Sequence, residues 1–256
     1  MLVRFLTEYF KGFFLQLQFL TTLPLPINIQ YTEKRFSQAI IFYPYIGLII
    51  GSLLALVYYI AMYLQSPRIT AVLIVFAGIM ITGGLHIDGL ADTCDGLFSY
   101  RTKEQILTIM KDSRIGVQGV LGIIMILGLK FIFLLEIKQI DFRMLLFLPV
   151  ISRTALVWNA GLFSYAGHNK SPAFYLINQT GWKQIIISSM LMFTVFLFIR
   201  QYLYLIVSGL TILLTLLLTY TFSRKINGIT GDVLGAMLEI SETISLFLFY
   251  FLPLYY

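Results

Sequence analysis

Apolar runs as long as a bilayer is thick dominate this sequence. A helix rises about 1.5 Å per residue, so crossing a hydrocarbon core of about 30 Å takes about 20 residues. Seven stretches qualify: 39–64, 69–94, 116–137, 143–165, 184–199, 202–222 and 232–254. The fifth is the shortest, and only Arg200-Gln201 parts it from the sixth, which leaves six spans as the alternative to seven. The runs are continuous rather than alternating, so they predict helices and not barrel strands. Only 12% of the residues are charged, against about 25% in soluble domains. No soluble core of 256 residues could hide that much apolar surface, so the surplus must face lipid. The expected fold is an all-α, polytopic transmembrane helical bundle. No Pro-, Gly- or Ser-rich linker divides it, so residues 1–256 are read as a single integral membrane domain.

The lysines and arginines set an orientation. With seven spans, Arg4, Lys11, Lys34, Arg35, Arg101, Lys103, Lys111, Arg114, Lys170, Lys183, Arg224 and Lys225 fall on one side, and Arg68, Lys138, Arg143 and Arg200 on the other. The positive-inside rule puts the first set, and the N-terminus, in the cytoplasm of a prokaryotic (inner) membrane, and the C-terminus outside. The net charge of +6 is thus topological, and no nucleic-acid partner is implied. Before the first span, Glu8 and Lys11 interrupt an apolar run that ends at Pro24 and Pro26. That pattern predicts an amphipathic helix lying on the lipid bilayer rather than a cleaved signal. The single cysteine, Cys94, allows no internal disulfide.

The most informative stretch is Gly83-Gly84-Leu85-His86-Ile87-Asp88-Gly89-Leu90-Ala91-Asp92-Thr93-Cys94-Asp95-Gly96. On a helix, residues 88, 92 and 95 follow i, i+4, i+7 and share one face. Three like charges there repel, and at the C-terminal end of a span the helix dipole disfavours them further. A hard divalent cation held by oxygens, such as Mg²⁺, would offset both effects. A frayed helix end with two Asp-Gly turns is the plainer alternative. His86 reads as a general base, a ligand, or an ordinary hydrogen-bonded interfacial histidine.

Thr102 and Gln105 have capping-box spacing and predict a short helix on the membrane surface. It delivers Lys111, Ser113 and Arg114, cations and a hydroxyl suited to phosphate oxygens. Next to carboxylates that hold a metal, they suggest a bound diphosphate. Near the C-terminus, Asp232, Gly235, Glu239 and Glu242 share a face. Asp232 is either an N-cap or part of the site, and Arg153 in the fourth span is a partner for a buried Glu. His168-Asn169-Lys170 reads as a solvated loop.

With these residues in hand, the sequence resembles cobalamin synthase (adenosylcobinamide-GDP ribazoletransferase). The resemblance rests on Gly83 to Asp92 with Asp95-Gly96, on Met110-Lys111-Asp112-Ser113-Arg114-Ile115-Gly116, on Leu17-Gln18-Phe19-Leu20-Thr21-Thr22-Leu23-Pro24, and on Thr230-Gly231-Asp232 through Glu242. Cys94 departs from it, where a small apolar residue is expected, and residues 120–225 match mainly by hydropathy. The resemblance implies transfer of adenosylcobinamide phosphate from adenosylcobinamide-GDP to α-ribazole or its 5′-phosphate, with release of GMP and with Mg²⁺ as cofactor. Joined to the residue pattern, this gives a reading in which Asp88, Asp92 and Asp95 hold the metal, and one of them or His86 takes the hydroxyl proton. Lys111, Ser113 and Arg114 then bind phosphate, and Asp232 completes the metal site or positions substrate. A homo-oligomer is compatible with the sequence.

Two other readings stay open. A CDP-alcohol phosphotransferase uses the same physical logic, but Ser99-Tyr100 stands where its motif needs Ala-Arg. A cation-coupled transporter would need a helix broken near the midplane.

Overall fold

A computed structural model describes residues 2–137, 141–167 and 169–252. Among them there is no β-strand, only one isolated bridge between Tyr165 and Ile229. The α-helices are α1 (Leu2–Leu20), α2 (Glu33–Gln38), α3 (Tyr43–Ala61), α4 (Pro67–Thr82), α5 (Leu85–Leu97), α6 (Lys103–Ile109), α7 (Val117–Glu136), α8 (Phe142–Leu162), α9 (Pro172–Gln179), α10 (Trp182–Ile199), α11 (Tyr202–Ile226) and α12 (Gly231–Phe251). His168, Lys138 and the C-terminal residue Tyr256 lie outside the described residues.

Helices α8 and α12 form the centre of the bundle, with buried side chains along most of their length. Glycines let α3 lie close against α8. A Cβ on Gly51 would overlap the Leu146 carbonyl, and one on Gly47 would come within 2.8 Å of Val150 Cα. Helices α7 and α11 turn Ile124, Met125, Leu213 and Leu217 outward, the surface that lipid covers. Glu33–Leu64, α7, α8, α11 and α12 are each long and apolar enough to cross a membrane. Counting two bent pairs as one span each brings the total to seven. The fold is therefore the expected all-α, multi-pass bundle.

The second expected span, 69–94, is corrected. It is two helices, α4 and α5, meeting at 91°. The cause is the glycine pair: Gly83 (φ +63°) and Gly84 (φ +72°) both adopt the left-handed conformation that ends a helix. Hydropathy passes through the break because apolar residues flank it. The correction reverses the dipole argument, since Asp88 lies in the first turn of α5, where a helix favours negative charge. The chain before the first span holds the break in place. Thr22 donates its N–H to the Ile81 carbonyl (2.8 Å) and its Oγ1–H to the Met80 carbonyl (2.8 Å).

The expected fifth span, 184–199, falls on α10, which is long and apolar enough to cross only when counted with α9 across a second right-angled turn (91°); Arg200 in the left-handed region (φ +54°) ends it. α1 ends at Leu20, ahead of the two prolines as expected, and docks on the bundle. Gln16 donates to the Phe36 carbonyl (2.6 Å) and accepts from the Tyr43 hydroxyl (3.1 Å).

Candidate active site

Helix α5 carries the acidic motif and is wedged between α7 and α12. Small residues allow the approach. A Cβ on Gly89 would stand 2.9 Å from the Asp232 carbonyl oxygen, and one on Gly235 would stand 3.3 Å from His86 Cα. The glycines of the two motifs, 146 positions apart in sequence, thus bring the start of α12 onto α5. Asp92 consequently feels the negative charge of Asp232 and Asp88 as well as that of Asp95. Among the described residues, no lysine or arginine forms an ion pair with Asp88, Asp92 or Asp232.

Asp95 has a different occupation. Its carboxylate accepts from Gly116 N–H (2.6 Å) and Gly119 N–H (2.8 Å), at the opening of α7. These are donors that no earlier turn of α7 can satisfy, and a carboxylate is well matched to them. Asp232 is not the cap of α12. That role belongs to Thr230, whose Oγ1 accepts from Val233 N–H (3.3 Å), while Asp232 occupies the first turn.

The capping box at Thr102 and Gln105 starts α6 as expected, with Thr102 N–H donating to Gln105 Oε1 (3.3 Å). The loop after it divides its cations. Lys111 acts electrostatically on Asp232 and lines a cavity of about 400 Å³ together with His86, Asp88, Thr230 and Asp232. Arg114 instead turns back on its own loop, bonding Asp112 at 2.7 and 3.0 Å, with its side chain 86% exposed. That pairing holds the Asp112 carboxyl down at about 2. Ser113 is exposed, and neither it, Arg114, Asp92 nor Asp95 lines the cavity. Among the described residues, no three His, Cys, Asp or Glu side chains stand close enough to hold a metal.

His86 is 4% exposed, and its Nε2 has no hydrogen-bond partner. Behind it lies an ion network. Lys130 of α7 donates to Glu239 (2.6 Å) and Glu242 (2.7 Å) of α12, and Arg153 of α8 pairs with Glu242. Arg153 is thus the partner expected of a buried Glu. The part of Lys130 was missed, although a lone cation inside an apolar span is itself a sign of a buried partner. Cys94 is packed against Gly122, where a Cβ would come within 2.6 Å of its sulfur.

The family model described as cobalamin-5-phosphate synthase matches residues 12–250. The chain belongs to this family. The match runs from within α1 nearly to the end of α12, so every candidate residue above falls inside it. Among curated relatives, the adenosylcobinamide-GDP ribazoletransferase of Acetivibrio thermocellus is 37% identical over 95% of this chain and 98% of its own. The one of Alkaliphilus oremlandii is 40% identical over 91% and 94%. The one of Clostridioides difficile is 34% identical over 94% and 98%. No solved structure matches. For the cobalamin-5-phosphate synthase family, this chain therefore shows a bundle in which one bent span and the start of the last span meet at the acidic motif.

Proposed function

We propose that this chain transfers adenosylcobinamide phosphate from adenosylcobinamide-GDP to α-ribazole or α-ribazole 5′-phosphate, giving the cobalamin product and GMP. The observation that carries the reading is similarity along nearly the whole chain to relatives of that name, joined to a cavity lined by Asp88, Asp232 and Lys111, in which Lys111 acts on Asp232. The acceptor hydroxyl attacks the cobinamide-linked phosphorus, a new P–O bond forms, and the diphosphate bond to GMP breaks. The proton passes to a base at the site, with His86, Asp88 and Asp232 as the basic groups on the cavity wall.

Carboxylate oxygens without a cationic partner suit a hard divalent ion. Asp88, Asp92 and Asp232 influence one another electrostatically but do not stand close enough in this structure to hold a metal together, so Mg²⁺ would be held only once these carboxylates draw in around it, with Asp95 left to α7. When bound, the ion supplies charge neutralisation on the diphosphate. Lys111 would bind phosphate oxygens beside Asp232, and Ser113 and Arg114 would join only after the Arg114–Asp112 pair opens. The broken helix at Gly83-Gly84 is the mark expected of a transporter, but family membership across the whole bundle favours the transferase. The charge distribution supports placing the site on the cytoplasmic face of a prokaryotic inner membrane.

The test is GMP release by purified protein in proteoliposomes given adenosylcobinamide-GDP and α-ribazole phosphate. Activity should vanish in chelator and return with Mg²⁺. Ion flux without GMP would overturn the reading.

A further inference from the structure

We infer that the 400 Å³ cavity is the acceptor's seat, taking a nucleoside with a flat, apolar base, and that Leu156 limits the size of that base. This rests on the transferase reading above.

Three observations carry it. The first is volume. Small-molecule sites run from about 300 to 1,000 Å³, so 400 Å³ suits a nucleoside and is far too small for a corrin macrocycle with its side chains. The second is the chemistry of the walls. The charged groups Asp88, Lys111 and Asp232 come from α5, the loop after α6 and the start of α12. The side formed by α2, α8 and α9 presents buried Phe36, Leu156 and Leu176, which offer carbon only. Of the polar residues on that side, Tyr165 and Ser171 bond each other (3.1 Å), and Asn169 is exposed in the loop before α9. A guanine placed against these carbon walls would lose hydrogen bonds from its carbonyl, ring N–H and amino group, a loss that disfavours it there. The benzimidazole of ribazole has one ring acceptor and otherwise carbon, and fits that side without such a loss. The third is His86. It lines the cavity, is buried, and has an unpartnered Nε2. Buried polar atoms are normally paired; this nitrogen is sealed from solvent, so a ligand hydroxyl becomes its partner only when the ring turns toward the cavity. A nucleoside with its base against Leu156 would bring its sugar toward His86 and the carboxylates, where the attacking oxygen belongs.

The test uses the whole protein in lipid nanodiscs, with radiolabelled α-ribazole as probe and no donor present. Wild-type protein should bind it in equilibrium dialysis. Leu156→Phe, which fills the cavity, should weaken that binding and raise KM for α-ribazole by about tenfold or more, leaving KM for adenosylcobinamide-GDP unchanged. Leu156→Ala, which removes volume and serves if the larger side chain does not fold, should improve turnover of ribosides with bulkier benzimidazoles relative to α-ribazole. If Leu156→Phe raises KM for the donor alone, the cavity is the donor's and the inference fails. If both variants leave ribazole binding and KM unchanged while GMP still forms, the transferase reading stands and the pocket assignment falls. If ribazole binds, and binds less well to Leu156→Phe, while GMP never forms, the pocket stands and the transferase reading falls.

Discussion

Replacing Asp95 by alanine should destabilise the bundle without changing the proposed Mg²⁺ requirement, which separates this carboxylate from Asp88 and Asp92. Asp95 accepts two backbone N–H groups at the start of α7, Gly116 at 2.6 Å and Gly119 at 2.8 Å. Losing a side-chain cap costs about 0.5–2 kcal/mol. Losing a negative charge at a helix N-terminus costs about 0.3–1 kcal/mol more. The expected destabilisation is therefore about 1–3 kcal/mol, a fall of about 2–12 °C in Tm for a chain of this size. Asp95→Asn keeps one acceptor oxygen and should fall between alanine and wild type. Asp92→Asn makes the opposite prediction: it removes repulsion from Asp88 and Asp232, so the fold should hold while GMP release drops by orders of magnitude. The assay pairs thermal unfolding in nanodiscs with GMP release across a Mg²⁺ titration. An Asp95→Asn protein with wild-type Tm but a raised Mg²⁺ requirement would refute the division of labour and restore Asp95 to the metal.

Three further expectations follow from the geometry. Lys111→Ala should lower kcat/KM for adenosylcobinamide-GDP far more than Arg101→Ala, with Arg114→Ala between them; equal small effects would return the loop to a topological role. Lys130→Met strips Glu239 of its ion-pair partner and should cost about 3–5 kcal/mol, with stability partly recovered in Lys130→Met/Glu239→Gln; a double variant no more stable than the single one would show that the network is not what holds α7 to α12. A cysteine at Ser113 in a Cys94→Ala background should be labelled only by reagents that reach the cytoplasm, and labelling from outside would invert the proposed orientation.

The bundle was legible because span length and hydropathy are local properties, and α3, α7, α8, α11 and α12 answer to them. The capping box at Thr102 was legible for the same reason. The right-angled break was not, because a hydropathy window averages across Gly83-Gly84, and only the conformation of the two glycines shows that the helix stops. The shared face of Asp88, Asp92 and Asp95 followed from helical spacing, but spacing cannot show that Asp95 is claimed by amides 21 and 24 positions away. Likewise Arg153 could be matched to a glutamate by sign alone, whereas the bridge from Lys130 to both Glu239 and Glu242 depends on how three helices pack.

The two bonds from Thr22 to the end of α4 bear on how the chain is made. A helix that stops short of the far side leaves its last carbonyls without partners, and lipid supplies none. Here Gly83 and Gly84 N–H groups reach Met80 and Ile79, and a residue nearly sixty positions upstream supplies the partner for Ile81 and a second one for Met80. When Met80 and Ile81 leave the ribosome, Thr22 has already been synthesised and can be waiting at the membrane. The order of synthesis thus delivers the clasp before the joint it closes, and α5 can turn aside from α4 with partners already provided for the Met80 and Ile81 carbonyls.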